Sequence, residues 1–137
     1  MKNYKAKDLF DLWIYGDLIE TKFDSYLFNQ RFMPAKSTPT DNFKEIKKET
    51  LCRKTEVFDK NNVELFSNDI IFDGNRNLKF RIFEIAGGFV IKAGVWGDDF
   101  EWVSSDELIV ESLSDVQTRS YVESNCMCIG NYFNKNK

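Results

Sequence analysis

Apolar and polar residues alternate most clearly between Leu78 and Ile85, where Leu78, Phe80, Ile82 and Glu84 interleave with Lys79, Arg81, Phe83 and Ile85. Every second residue of a strand faces the same way, so this pattern predicts a strand with one face for a core. Phe89 to Trp96 predicts its hairpin partner, joined through Gly87-Gly88. Upstream, Thr55 to Phe58 and Val63 to Phe66 flank Asp59-Lys60-Asn61-Asn62, a tight turn in which Asn accepts the positive φ that short hairpins need. Ser67-Asn68-Asp69 then turns the chain into Ile70 to Phe72, and Asp73-Gly74-Asn75 turns it again. Gly97-Asp98-Asp99 leads into a strand from Phe100 to Val103, and Cys126 to Tyr132 reads as the last strand.

Other segments are less regular. Asp11 to Glu20 predicts a strand with a bulge or a close backbone approach at Gly16, followed by an extended stretch from Phe23 to Phe28. Arg31 to Thr40 holds Pro34 and Pro39 and reads as a loop. Asp41 to Leu51 offers an N-cap at Asp41 and apolar positions at Phe43, Ile46 and Leu51, which predicts a short helix. Ser104 to Ser124 fits neither period and leaves room for another short helix. Short strands at this spacing point to a mainly β fold, β-rich α+β, arranged as a small barrel-like or curled antiparallel sheet with one or two short helices. The length of 137 residues suits a single domain over 1–137.

Composition adjusts this picture at a few points. Hydrophobic residues at 42% and aromatics at 15% supply a bulky core and argue against disorder. Apolar runs stay far below the roughly 20 residues of a spanning helix, so no membrane is expected. The start Met1-Lys2-Asn3-Tyr4-Lys5-Ala6-Lys7-Asp8 has charge without an apolar stretch, which is not a signal peptide and points to the cytoplasm. A formal charge of −3 gives no basic surplus and disfavours nucleic acid as a partner.

The chain has no His, which removes the usual general base and the commonest metal ligand. Cys126-x-Cys128 with Cys52 cannot complete a zinc site and reads as small buried hydrophobes. Asp98-Asp99-Glu101 and Asp106-Glu107 are local acidic runs that read as solvated loops rather than as a Mg²⁺ enzyme centre. No enzymatic activity, catalytic residue, metal or cofactor is expected. Trp96, Phe100 and Trp102 lie beside a turn, with Arg76 and Arg81 on a neighbouring hairpin. Such a set can stack a base and pair a phosphate, which makes Trp96, Trp102, Arg76 and Arg81 the candidate ligand-binding residues; packing in a core or interface is the competing reading.

The run from Lys54 to Ile71 resembles the hallmark of the YopX family of phage and prophage proteins, approximately T-G-L-x-D-K-N-G-K-E-I-Y-E-G-D-I-V. Thr55, Asp59, Lys60, Asn61, Glu64, Asp69 and Ile70 match identically, and Leu65, Phe66 and Ile71 match in kind. Trp13-Ile14-Tyr15-Gly16-Asp17-Leu18-Ile19 is similar to the family's early strand, and Ile129-Gly130-Asn131-Tyr132-Phe133 to its closing one. Glu56, Asn62 and Asn68 stand where the hallmark has glycine. Asn keeps access to the left-handed backbone at 62 and 68, whereas Glu56 implies either ordinary strand geometry or a locally altered backbone. Read from its residues, the hallmark specifies structure, with Asp59 capping its turn and Leu65, Ile70 and Ile71 entering the core.

The resemblance implies a protein of phage or prophage origin in the bacterial cytoplasm, with chains assembled into a homo-oligomer. It further implies a binding protein that captures a host factor, either a small nucleotide-like immune signal or a host protein. The alternative is an inhibitor of a host enzyme or of nucleic-acid machinery acting through protein contacts.

Overall fold

Pairing between short strands determines the fold seen in a computed structural model, which describes residues 3–29, 43–96, 102–104 and 110–134. The chain divides into two compact units, Met1–Lys54 and Thr55–Lys137. Each is built on antiparallel strands, and one α-helix lies among the described residues, so the fold is β-rich α+β as the alternation predicts.

In the first unit, β1 (Tyr4–Lys7), β2 (Trp13–Glu20), β3 (Ser25–Phe28) and β4 (Phe43–Glu45) pair in the order β4-β3-β2-β1. One face carries Ala6, Ile14 and Leu27, which pack with Ile46 beneath Tyr4, Leu18 and Leu51. Gly16 lies opposite Tyr4, and a Cβ built on it would sit 2.4 Å from the Phe28 carbonyl oxygen. The glycine therefore marks a close backbone approach of β2 to β3. The extended stretch read from Phe23 is strand only from Ser25.

The helix expected over Asp41–Leu51 is not formed in its described part, residues 43–51. Phe43–Glu45 is strand β4, paired with Tyr26–Phe28, and Lys48–Thr50 makes a single 3-10 turn. Phe43 meets the Phe28 ring at 5.1 Å, and the Ile46 amide donates to the Ser25 carbonyl, which extends the ladder. Cross-strand contacts of this kind outweigh the weak helical preference of a thin apolar stripe. Residues 30–42, with the expected proline loop and the Asp41 cap, lie outside the described residues.

Strand β5 (Cys52–Phe58) begins beside β1, with Arg53 opposite Tyr4, and runs on into the second unit. That unit continues with β6 (Glu64–Phe66), β7 (Asp69–Asp73), β8 (Leu78–Ile85), β9 (Gly88–Trp96), β10 (Trp102–Ser104) and β11 (Val110–Ser112). Helix α1 (Val116–Asn125) and β12 (Cys126–Asn131) complete it. The sheet order is β10-β9-β8-β7-β12, with β11 pairing the start of β9. Register places Ile71 opposite Phe80, Phe80 opposite Ala93 and Ile82 opposite Ile91. These residues form the core with Val57, Leu65, Leu113, Val122 and Cys126. The illegible segment Ser104–Ser124 holds β11 and most of α1, so no single period fits it. Asp115 caps the helix by accepting from the Gln117 amide.

All three residues standing where the YopX hallmark has glycine adopt a left-handed backbone: φ is 67° at Glu56, 65° at Asn62 and 68° at Asn68. The two Asn residues tolerate this conformation, but Glu56 holds it inside a strand, at a cost of roughly 1–2 kcal/mol. In urea unfolding, Gly16→Ala is expected to lose about 1–3 kcal/mol by overpacking, while Glu56→Gly gains up to about 1 kcal/mol. A neutral Gly16→Ala or a destabilising Glu56→Gly would contradict these backbone assignments.

Candidate functional site

Three turns of the second unit each carry a buried aspartate, and each aspartate bonds in two directions. At the β5–β6 turn, Asp59 Oδ1 accepts from the amides of Asn61 and Val63 at 2.9 and 2.8 Å, while Oδ2 accepts from the Cys128 amide at 2.8 Å. At the start of β7, Asp69 Oδ2 accepts from the Phe66 amide and Oδ1 from Asn131 Nδ2, both at 2.8 Å. At the end of β7, Asp73 Oδ1 accepts from the amides of Asn75 and Arg76, and Oδ2 accepts from the Tyr121 hydroxyl. The expected roles of Asp59 as a turn cap and of Leu65, Ile70 and Ile71 as core residues hold.

This framework positions a cluster around Arg81. The Asn68 carbonyl accepts from the Tyr132 amide at 2.8 Å, and Asn68 Oδ1 accepts from Arg81 Nη2 at 2.8 Å and Nε at 3.3 Å. The guanidinium lies 3.6 Å from the Tyr132 ring centroid and 4.5 Å from that of Phe83. Lys92, opposite Arg81 in the ladder, places its ammonium 4.7 Å from the Phe83 ring. Two cations and two rings therefore share the face of β8–β9 turned away from Phe80 and Ile82. Asn68 supplies a side-chain acceptor that a glycine at this turn would lack.

The four residues expected to bind ligand are separated by the strand register. Trp102 lies opposite Trp96 at the end of β9. Trp96 is four residues along that strand from Lys92, the partner of Arg81, a distance of about 13 Å. Arg76 occupies the exposed β7–β8 turn, its guanidinium 5.5 Å from the Tyr121 ring. Of the two arginines, Arg81 is gathered with Lys92, Phe83 and Tyr132, and Arg76 lies against Tyr121. Phe83 was legible from its i, i+2 spacing to Arg81, but Tyr132 and Lys92 reach the cluster only through tertiary pairing. Phe100 and both acidic runs, Asp98-Asp99-Glu101 and Asp106-Glu107, lie outside the described residues.

The cysteines lack the features of a reactive pair. Cys52 and Cys126 are buried and Cys128 is half-buried. Burial, reinforced by the nearby Asp73 charge, pushes the Cys126 thiol up to about 12, which keeps it protonated. Burial and the bond to Asp73 likewise push the Tyr121 hydroxyl above its ordinary value. For Asp73 itself, burial acts upward, but the Tyr121 hydroxyl, the two turn amides and the Arg76 charge outweigh it and hold the carboxyl below its ordinary value.

Compared with protein-family models, curated proteins and solved structures, the chain matches none.

Because the folded pKa of Asp73 lies below the unfolded one, its contribution is complete well above pH 4 and disappears as pH falls through the folded value. Asp73→Asn should therefore lose about 1–3 kcal/mol at pH 7 and lose less further stability than the parent on acidification. Urea midpoints measured from pH 7 to pH 3 check this, and parallel profiles would contradict it.

Proposed function

We propose that this chain is a YopX-like protein of phage or prophage origin that acts in the bacterial cytoplasm without catalysis. Assembled as a homo-oligomer, it binds and sequesters a nucleotide-type host signal. The observation that carries this reading is the Arg81 guanidinium fixed between Tyr132 and Phe83 with Lys92 alongside. A guanidinium matches phosphate oxygens in a planar fork, and one already held by rings and by Asn68 loses less freedom on binding than a mobile side chain. Flat rings beside it add stacking surface for a base. Trp96, Trp102 and Arg76 are the further residues proposed for ligand contact, with Trp96 and Trp102 paired at the end of β9.

Calorimetry with a panel of cyclic and ADP-ribose-derived nucleotides tests the reading. At least one should bind, and Arg81→Ala should weaken it by about 10- to 100-fold, the worth of a charge-assisted hydrogen bond. Asn68→Gly keeps the left-handed turn but removes the side-chain acceptor that orients Arg81, so it should weaken binding with little change in stability. No binding across the panel, or binding indifferent to Arg81, would remove this function.

A further inference from the structure

The β1–β2 turn of the first unit exposes apolar side chains that lie outside the core formed by the described residues. Leu9, Phe10 and Leu12 are 54%, 84% and 63% exposed. Their backbone is nonetheless fixed, because buried Asp8 accepts through Oδ1 from the amides of Phe10 and Leu12 at 2.8 and 3.0 Å. The Asp8 amide in turn donates to the Leu12 carbonyl, and Asp11 adopts φ 66°. A floppy loop could fold its apolar residues back; this one holds them outward.

The turn has lysines beside it. Asp11, its exposed acid, is paired with Lys47. Behind the tip, buried Lys5 and half-buried Lys7 place their ammoniums 5.1 and 5.7 Å from the Trp13 ring centroid. The first unit carries eleven Lys and Arg against eight Asp and Glu, a formal +3, while the second carries eight against fourteen, a formal −6. The near-neutral whole conceals this asymmetry.

We propose that the first unit attaches to the surface of an anionic lipid bilayer by inserting Leu9, Phe10 and Leu12, with Trp13, Lys7 and Lys47 at headgroup level. A protruding apolar tip needs no shaped partner cavity when it enters acyl chains, Trp favours the interface, and Lys is drawn to anionic headgroups. Such attachment differs from the spanning that the sequence disfavours; among the described residues no helix is long and apolar enough to cross a membrane.

Pelleting with sonicated vesicles tests the proposal on the full chain. The protein should sediment with phosphatidylcholine–phosphatidylglycerol vesicles and far less with phosphatidylcholine alone, and added salt should weaken the association. Phe10→Ser with Leu12→Ser should lower it at least tenfold, and Lys7→Glu should lower it in part. These side chains are exposed or half-buried, so unchanged circular dichroism is expected for each variant. Failure to sediment with anionic vesicles would overturn the proposal, as would a double Ser variant that sediments like the parent. A double Ser variant that instead changes the native mass of the protein, with no vesicle binding by the parent, would assign the tip to protein contacts and overturn it equally.

Discussion

A carboxylate withdrawn from water must find hydrogen-bond donors for both oxygens, or its burial destabilises the fold by several kcal/mol. Asp59, Asp69 and Asp73 meet this demand in the same way. One oxygen of each takes amides of its own turn, and the other takes a donor from the segment Tyr121–Asn131. Neither half suffices alone. An open turn leaves one oxygen without its donors, and a detached C-terminal segment strands the other. Turn closure and docking of β12 are therefore coupled through three side chains, and β12 completes the edge of the sheet beside β7.

The coupling reaches the candidate site through Asn68, which precedes Asp69. The left-handed turn there aims its carbonyl at the Tyr132 amide and its side chain at Arg81, while Asp69 holds Asn131 from the adjoining position. Tyr132 is thus fixed against the guanidinium by the same constraint that seats the last strand. Arg81, Phe83 and Lys92 belong to the β8–β9 hairpin, and the locked chain end adds the Tyr132 ring to them.

Much of the second unit is legible in sequence because its strands alternate cleanly and its turns use Asn, Asp and Gly where positive φ or side-chain capping is needed. β1 is harder to read, since Tyr4-Lys5-Ala6-Lys7 buries a lysine, Lys5, beside Ala6 and uses its lysines against Trp13. Helix α1 buries only Thr118 and Val122 and so presents no apolar stripe. The opposite error at Asp41–Leu51 arises because Phe43 and Ile46 serve a strand pairing that helical spacing happens to imitate. Least legible is the lock itself. Its partners lie 48, 62 and 69 residues apart, a range at which local pattern carries no information. Arg81 is visible as a candidate, but its companions Tyr132 and Lys92 are not, for the same reason.

Hydrogen exchange at the Cys128 amide tests the coupling most directly, because its acceptor is the buried Asp59 side chain, 69 residues away. If turn and chain end form one cooperative unit, this amide should exchange only through global unfolding, as slowly as the core amides of β8. Asp59→Asn should speed its exchange together with that of the Val63 amide. Rapid exchange of Cys128 in the parent protein, at the rate of a fraying terminus while β8 stays protected, would contradict the account.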